Sequence, residues 1–304
     1  MEFLIQTEYY NTMDLYDSLI TYLDEDVAKK LTFSLNENRS YCLLINDKKI
    51  DETFIKENFK TMEKHPFIPK AFYYNGEIDQ PGKSYLFDNG AYYIIDASSL
   101  LVGYLLDVRD EDLVLDMCAA PGGKSISLLL KNRNFFCLSN DLNKSRALLM
   151  AQNFEKLGII NAFVSSVDFK NIYKKYQNTF DKIILDAPCS GSGMFRKNLN
   201  VKEDWSIEKV KRLSLIQKEL LELAFYMLKP GGIISYSTCS LNYEENEEVI
   251  ISFLKNHQEA EIINLKSIEG EYRHNSLKEA IHLFPCFYKG EGMFISQIKK
   301  IVGF

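Results

Sequence analysis

Residues 113–125 read LVLDMCAAPGGKS. An apolar run that ends on Asp116 suits a buried strand, the Gly122-Gly123 pair permits a tight turn, and Lys124-Ser125 open a helix. Exposed amides at such a helix start suit a carboxylate or a phosphate. The run matches neither the GxxxxGK[ST] phosphate loop nor GxGxxG, which argues against nucleoside triphosphates and dinucleotides.

Working outward, apolar strand candidates recur at DLVLDM, FFCLSND, NAFVSSVD, FDKIILDAP and GGIISYSTC, each followed by a helix-length segment. That alternation predicts an α/β unit with a mostly parallel sheet over residues 91–304. After a Gly290-Glu291-Gly292 turn, GMFISQIKKIVGF fits a final hairpin strand at the sheet edge. Upstream, TMDLYDSLITYLDEDVAKKLTF has helical spacing, RSYCLLI reads as a strand, and NDKKIDETFIKENFKTM reads as a turn and a helix. Residues 1–75 are therefore expected to form a small α+β domain, with a proline- and glycine-bearing connector at 76–90.

The 304 residues are 46% hydrophobic and 26% charged, ordinary globular values for one large domain plus a small one. Neither a basic-then-apolar start nor an apolar run of membrane-spanning length is present, so a cytoplasmic protein without membrane contact is expected. Six cysteines, at 42, 118, 137, 189, 239 and 286, lack metal-site or disulfide-scaffold spacing, and are read as reduced thiols with no metal. The net charge of -6 opposes broad phosphate attraction, but residues 1–90 carry 10 basic against 16 acidic side chains and residues 91–304 carry 26 against 26. The acidic excess lies entirely in the first segment, leaving the α/β part neutral.

Asp116, Asp141 and Asp168 each close a strand candidate. One such carboxylate alone is more often a helix cap. Three at successive strand ends outline an adenosine-containing ligand, because ligands of open parallel sheets bind outside those ends.

These segments together resemble the Nol/Nop/Sun family of S-adenosylmethionine-dependent RNA cytosine-5 methyltransferases, of the bacterial ribosomal-RNA type. The resemblance rests on LDMCAAPGGKS at 115–125, ND at 140–141, the Asp168 strand end, LDAPCSGSGMF at 185–195, YSTCSLNYEENE at 236–247 and GEGMF at 290–294. It implies a Rossmann-like class I methyltransferase sheet and S-adenosylmethionine as cofactor. Cys118, Ala119, Ala120, Pro121, Gly122, Gly123 and Lys124 would wrap the methionine portion, Asp141 would hold the ribose, Asp168 would meet the adenine, and Arg146 and Asp186 would complete the cofactor site.

Carbon 5 of cytosine is a poor nucleophile. Adding a thiolate at carbon 6 makes the ring enolate-like, so the chemistry needs a reactive cysteine, a group at N3 and an exit for the carbon-5 proton. Cys189, beside Asp186, and Cys239 both stand at strand ends; a cysteine taken alone is more often a small buried hydrophobe, and spacing leaves the assignment between these two open. The resemblance implies Cys239 as the nucleophile, Cys189 as the residue assisting RNA release, Asp186 as the carboxyl group at N3, and Lys124 as a positioning cation. Glutamates 244, 245, 247 and 248 read first as helix-start acids, with Asn246 and Glu247 matching the family. Arg196 and Lys197, then Lys209, Lys211 and Arg212, are candidate RNA-backbone contacts.

Three positions depart from the family pattern: Ile95 replaces a frequent glutamine, Cys286 a usual histidine, and His282 lies near a common arginine. Larger relatives add an RNA-binding domain after the GEG strand; without it, grip on the substrate is expected from the first ninety residues, the catalytic cleft or a partner. The expected partner is ribosomal RNA or a ribosomal particle, met by a monomer. The same chemistry on transfer RNA, and an idle RNA-binding ribosome assembly factor, are the alternatives. Amine methylation fits poorly, since DAPCSG is not the Asn/Asp-Pro-Pro-aromatic loop of such enzymes.

Overall fold

A computed structural model describes residues 14–131 and 134–303, which divide into two compact units. The first comprises residues 40–186 and 223–235; the second comprises 14–39, 187–222 and 236–303.

In the first unit, β1 (Tyr41–Ile45), β2 (Glu63–Lys64), β3 (Ala71–Tyr74) and β4 (Tyr92–Ile94) form an antiparallel sheet in the order β2-β3-β1-β4. Its apolar side, with Leu43, Ile45, Phe72 and Tyr92, closes over Ile55 and Leu86. Asp51 starts the helix Glu52–Asn58 by accepting from Phe54 N, and Asp96 does the same for Ala97–Leu105 through Ser99 N. The connector expected at 76–90 contains the short helices Pro81–Lys83 and Tyr85–Asp88. Asn46 is buried, and its amide donates to the carbonyls of Gly90 and Leu157, so a polar group that would cost stability unpaired instead ties the small sheet to a later helix.

The same unit holds four parallel strands, β5 (Leu113–Asp116), β6 (Phe136–Asn140), β7 (Ala162–Ser165) and β8 (Phe180–Asp186), ordered β8-β5-β6-β7. Ile183, Ile184 and Leu185 are fully buried, as expected for a strand covered on both faces. Gly158, at φ +68°, ends the helix Lys144–Leu157 in the left-handed conformation that glycine adopts without steric cost. Neighbouring β8 is β9 (Leu228–Thr238), which continues from this unit into the second.

In the second unit the order is β10 (Ala260–Ile263), then β12, then β9, with β11 (Ile281–Leu283) also pairing β12 (Met293–Lys300). The expected last strand is thus present and antiparallel, but it is not the edge. The half-exposed segment AEII, too short and mixed to read as a strand, covers its outer side as β10. Helices Leu15–Leu19 and Glu25–Ser34 also belong here, because Leu19, Leu23, Ala28 and Leu31 pack with Phe195, Leu241 and Phe284. The first unit begins at residue 40, and within the second unit the first helices bury their apolar stripe against late residues. Among the described residues, no helix is long and apolar enough to cross a membrane.

Candidate active site

On the first unit, β5 delivers Asp116 to a loop that turns at Gly122, φ +102°, into the helix Gly123–Lys131. The loop is held by backbone bonds from Met117 N to Ile184 O, Ala119 N to Asn140 O, and Gly122 N to Ala119 O. Arg146 donates to Ala120 O at 2.6 Å and Asn153 to Pro121 O at 3.0 Å. A Cβ on Gly123 would lie 2.8 Å from Ile95 Cδ1, so the departure at Ile95 is accommodated by a glycine. Asn140 is buried and brackets this region: its amide donates to Met117 O and Val167 O, while its oxygen accepts from Ser165 Oγ and Val167 N.

Asp116 is fully buried; Oδ2 accepts from Ser125 Oγ at 2.7 Å, whereas Oδ1 has no hydrogen-bond partner. Burial foremost, with the Asp186 charge adding to it against the opposing effect of Ser125 and Lys124, pushes its carboxyl up to about 7. Loss of water, then the carboxylates of Asp116, Asp186 and Asp141, push the Cys118 thiol up to about 12. Asp141, just past β6, is buried, accepts from Asn143 N, and faces Arg146 at 3.4 Å. Asp168 caps the short helix Phe169–Ile172 through Lys170 N, the common use of such a residue. At the ends of β8 and the loop, Lys124 Nζ and Asp186 Oδ2 stand 2.7 Å apart, with 14% and 28% of their side chains exposed.

The Asp116 carboxyl has a folded-state value above its unfolded one of roughly 3.9, so the fold holds the proton more tightly than the open chain does. The stability this proton brings is complete below about pH 4 and is lost as pH rises through about 7. Asp116→Asn is expected to melt about 3–8 °C above wild type at pH 8, a gap that closes near pH 4.5. Melts at the two pH values check this; a gap that does not change with pH contradicts it.

On the second unit, two strand-end loops lie side by side. Cys189 follows β8 by three residues, Cys239 follows β9 directly, and their sulfurs are 3.1 Å apart, beyond the roughly 2.05 Å of a disulfide. Both are half-buried. Ser190 Oγ and Ser240 Oγ meet at 3.2 Å, Ser192 Oγ and Asn242 Oδ1 at 3.2 Å, and Gly193 N donates to Cys239 O at 2.9 Å. Glu245, fully buried in the turn Tyr243–Glu245, accepts from Ser190 N and from the amide of Gln217, each at 2.9 Å, and from Ser190 Oγ. Gln217 also donates to Pro188 O at 2.9 Å. Asn246 donates to Ser240 O and accepts from Thr238 Oγ1. Glu247 opens the helix Glu247–Asn256 and meets buried His282 at 2.6 Å, so this family departure is a core partner.

The structure thus brings Lys124 to Asp186, Arg146 to Asp141, and Cys189 to Cys239. It does not support Arg196 as an RNA contact: its side chain is 5% exposed, bonded through Nε to Glu291 at 2.8 Å and to Gly290 O. Lys209 is paired with Asp204 at 2.7 Å. Sequence reading passed over Gln217 and the particular part of Glu245; the acidic run signalled that some glutamate turned inward, but not which.

Parallel strands with a glycine turn leading from one strand end into a helix define a Rossmann-like α/β fold. The chain belongs to the family described as 16S rRNA methyltransferase RsmB/F, whose model matches residues 103–299. The ribosomal RNA small subunit methyltransferase F of Vibrio parahaemolyticus is 37% identical over 220 residues, 70% of this chain and 45% of that protein. A protein of Pyrococcus abyssi named tRNA (cytosine(49)-C(5))-methyltransferase is 35% identical over 216 residues, 67% of this chain and 69% of that one. The solved methyltransferase homolog protein from Pyrococcus horikoshii superposes with a TM-score of 0.80 at 30% identity, covering 94% of each chain. The chain spans about half the length of the small-subunit relatives it matches.

Proposed function

We propose that this chain methylates carbon 5 of a cytosine in ribosomal RNA, in the cytoplasm, using S-adenosylmethionine. The observation that carries this reading is the pair of strand-end cysteines with sulfurs 3.1 Å apart. One such thiol suffices for a nucleophile; two in contact suit a reaction in which one group attacks the base and another helps it leave.

The residues present fit the cofactor. Gly122 and Gly123 let the backbone come close, the helix start at Gly123 favours the amino acid's carboxylate, and the unpartnered Asp116 Oδ1 is an acceptor suited to its ammonium end. Asp141 would hold the ribose hydroxyls, with Arg146 fixing Asp141 and the loop carbonyl of Ala120, and Asp168 would meet the adenine. Bound S-adenosylmethionine supplies an electrophilic methyl group on a sulfonium.

Cys239 adds through sulfur to carbon 6, moving electron density toward carbon 5 and N3. Asp186 contacts N3 and the exocyclic amine, passing a proton to N3 as that density grows and taking it back when the ring is restored, and Lys124, 2.7 Å from it, holds the carboxyl group in place. After carbon 5 is methylated, Cys189 as a thiolate takes the carbon-5 proton; the C–H electrons restore the ring double bond and expel the Cys239 sulfur as a thiolate.

The test is transfer of a labelled methyl group to small-subunit ribosomal RNA, free and as a particle, and to transfer RNA, with the product nucleoside identified by mass. 5-Methylcytidine in ribosomal RNA is the expected product. 5-Methylcytidine confined to transfer RNA moves the substrate to the class in the Pyrococcus abyssi relative's name. Absence of transfer to every RNA, with cofactor still bound, overturns the catalytic reading in favour of an RNA-binding assembly factor.

A further inference from the structure

The two cysteine loops are matched residue for residue at a constant offset: 189 against 239, 190 against 240 and 192 against 242. Backbone and serine bonds reinforce the match, with Leu241 N donating to Ser192 Oγ at 2.8 Å and Gly193 N to Cys239 O. Each cysteine is followed by a serine, and those serines meet beside one buried carboxylate. Glu245 takes the main-chain N–H and the hydroxyl of Ser190, and Ser240 is hydrogen-bonded within the same group. Gln217 closes the arrangement on the other side of Cys189. Its amide nitrogen faces two acceptors, Pro188 O and Glu245 Oε1, while its own oxygen, though buried, has no partner, so only one orientation of the amide fits.

A buried carboxylate is costly unless donors surround it, and a merely structural one would be satisfied by any nearby helix end. Here the donors come from the residues flanking Cys189, 188 through Gln217 and 190 directly, and from the neighbour of Cys239. We propose that Glu245, seated by Gln217, is a positioning residue that sets the distance between the two catalytic sulfurs, and with it the release step assigned to Cys189. This rests on the reading of the two cysteines given above. Glu245 touches neither base nor cofactor in this role; it acts through the loop.

Misplacing a reacting group by about 1 Å costs on the order of a hundredfold. Glu245→Gln turns one acceptor into a donor facing Ser190 Oγ and the Gln217 amide, and Gln217→Met removes the donor to Pro188 while keeping the helix and the carboxylate. Both variants are expected to turn over about a hundredfold more slowly, with KM for RNA within about twofold of wild type. Both are also expected to accumulate a Cys239-linked RNA adduct on denaturing gels, as is expected of Cys189→Ala. Loss of general stability would not produce that split, because it lowers adduct and product together.

Wild-type turnover in either folded variant, or adduct falling in step with product, overturns the positioning role. Failure of both variants to fold assigns the pair to stability and overturns it equally. If Cys189→Ala itself traps no adduct on an RNA that wild type methylates, the reading beneath this one falls and takes it along; if that variant does trap adduct and the two others do not, the positioning role alone falls.

Discussion

Cys239→Ala is expected to lower methyl transfer by at least ~10³-fold, the scale on which removal of an enzyme nucleophile acts, with the fold kept, if the proposed role of this thiol holds. The side chain is half-buried at the end of β9, and its main chain does separate work: Cys239 O accepts from Gly193 N whatever the side chain is. Deleting one sulfur there removes a contact with Cys189 and little else, so melting is expected within a few degrees of wild type. Labelled methyl incorporation by the purified variant, read beside its melting curve, is the check. A folded variant that works at the wild-type rate would falsify the assignment of Cys239; loss of adduct in Cys189→Ala, with adduct kept in Cys239→Ala, would exchange the two roles.

The second large effect is structural. A Cβ on Gly193 would sit 2.6 Å from Gly292 Cα, 2.8 Å from Gly292 O and 2.9 Å from Cys239 O, and each of these atoms is backbone. Gly292 N also donates to Gly193 O at 3.0 Å, so the DAPCSGSG loop, the STC strand end and the GEG turn meet at one place with no flexible side chain to yield. Gly193→Ala is expected to cost about 3 kcal/mol, the upper end for overpacking, and to lower the melting temperature by roughly 5–10 °C. Because the loop that moves carries Cys189, turnover falls even at temperatures where the variant stays folded. Unchanged melting and turnover would mean that the three segments part without penalty.

The α/β half was legible because its strands announce themselves twice, by apolar runs such as KIIL and by the carboxylate, glycine or cysteine that ends each run. The positions of Cys189 and Cys239 at strand ends were legible for the same reason, since strand ends are where an open parallel sheet exposes side chains to a ligand; the roles proposed for them rest on the family resemblance. What escaped reading depends on pairs distant in sequence. Arg196 looks like a loop cation until Glu291, ninety-five residues later, takes it into the interior. Gln217 occupies a polar position in a long helix, and nothing local distinguishes it from Glu219 or Lys218. Four glutamates stand within five positions, and a single turn at Tyr243–Glu245 decides that Glu245 faces Ser190 while Glu247 faces His282. The early helices read correctly as helices, but their packing partners, Phe195, Leu241 and Phe284, are invisible to any local pattern.

The division of the chain also bears on the order in which a ribosome can deliver it. Everything the first unit draws on has been synthesised by residue 235, and all but the end of one helix and most of β9 by residue 186. The second unit is assembled from three separate stretches, and β12, which lies between β10 and β9, is among the last to emerge. Domains settle as units during synthesis, earliest parts first. Both cysteine loops lie in the late unit, with Gly193 waiting for Gly292, so the nascent chain can hold a folded glycine turn at Gly122 well before it holds a finished pair of thiols.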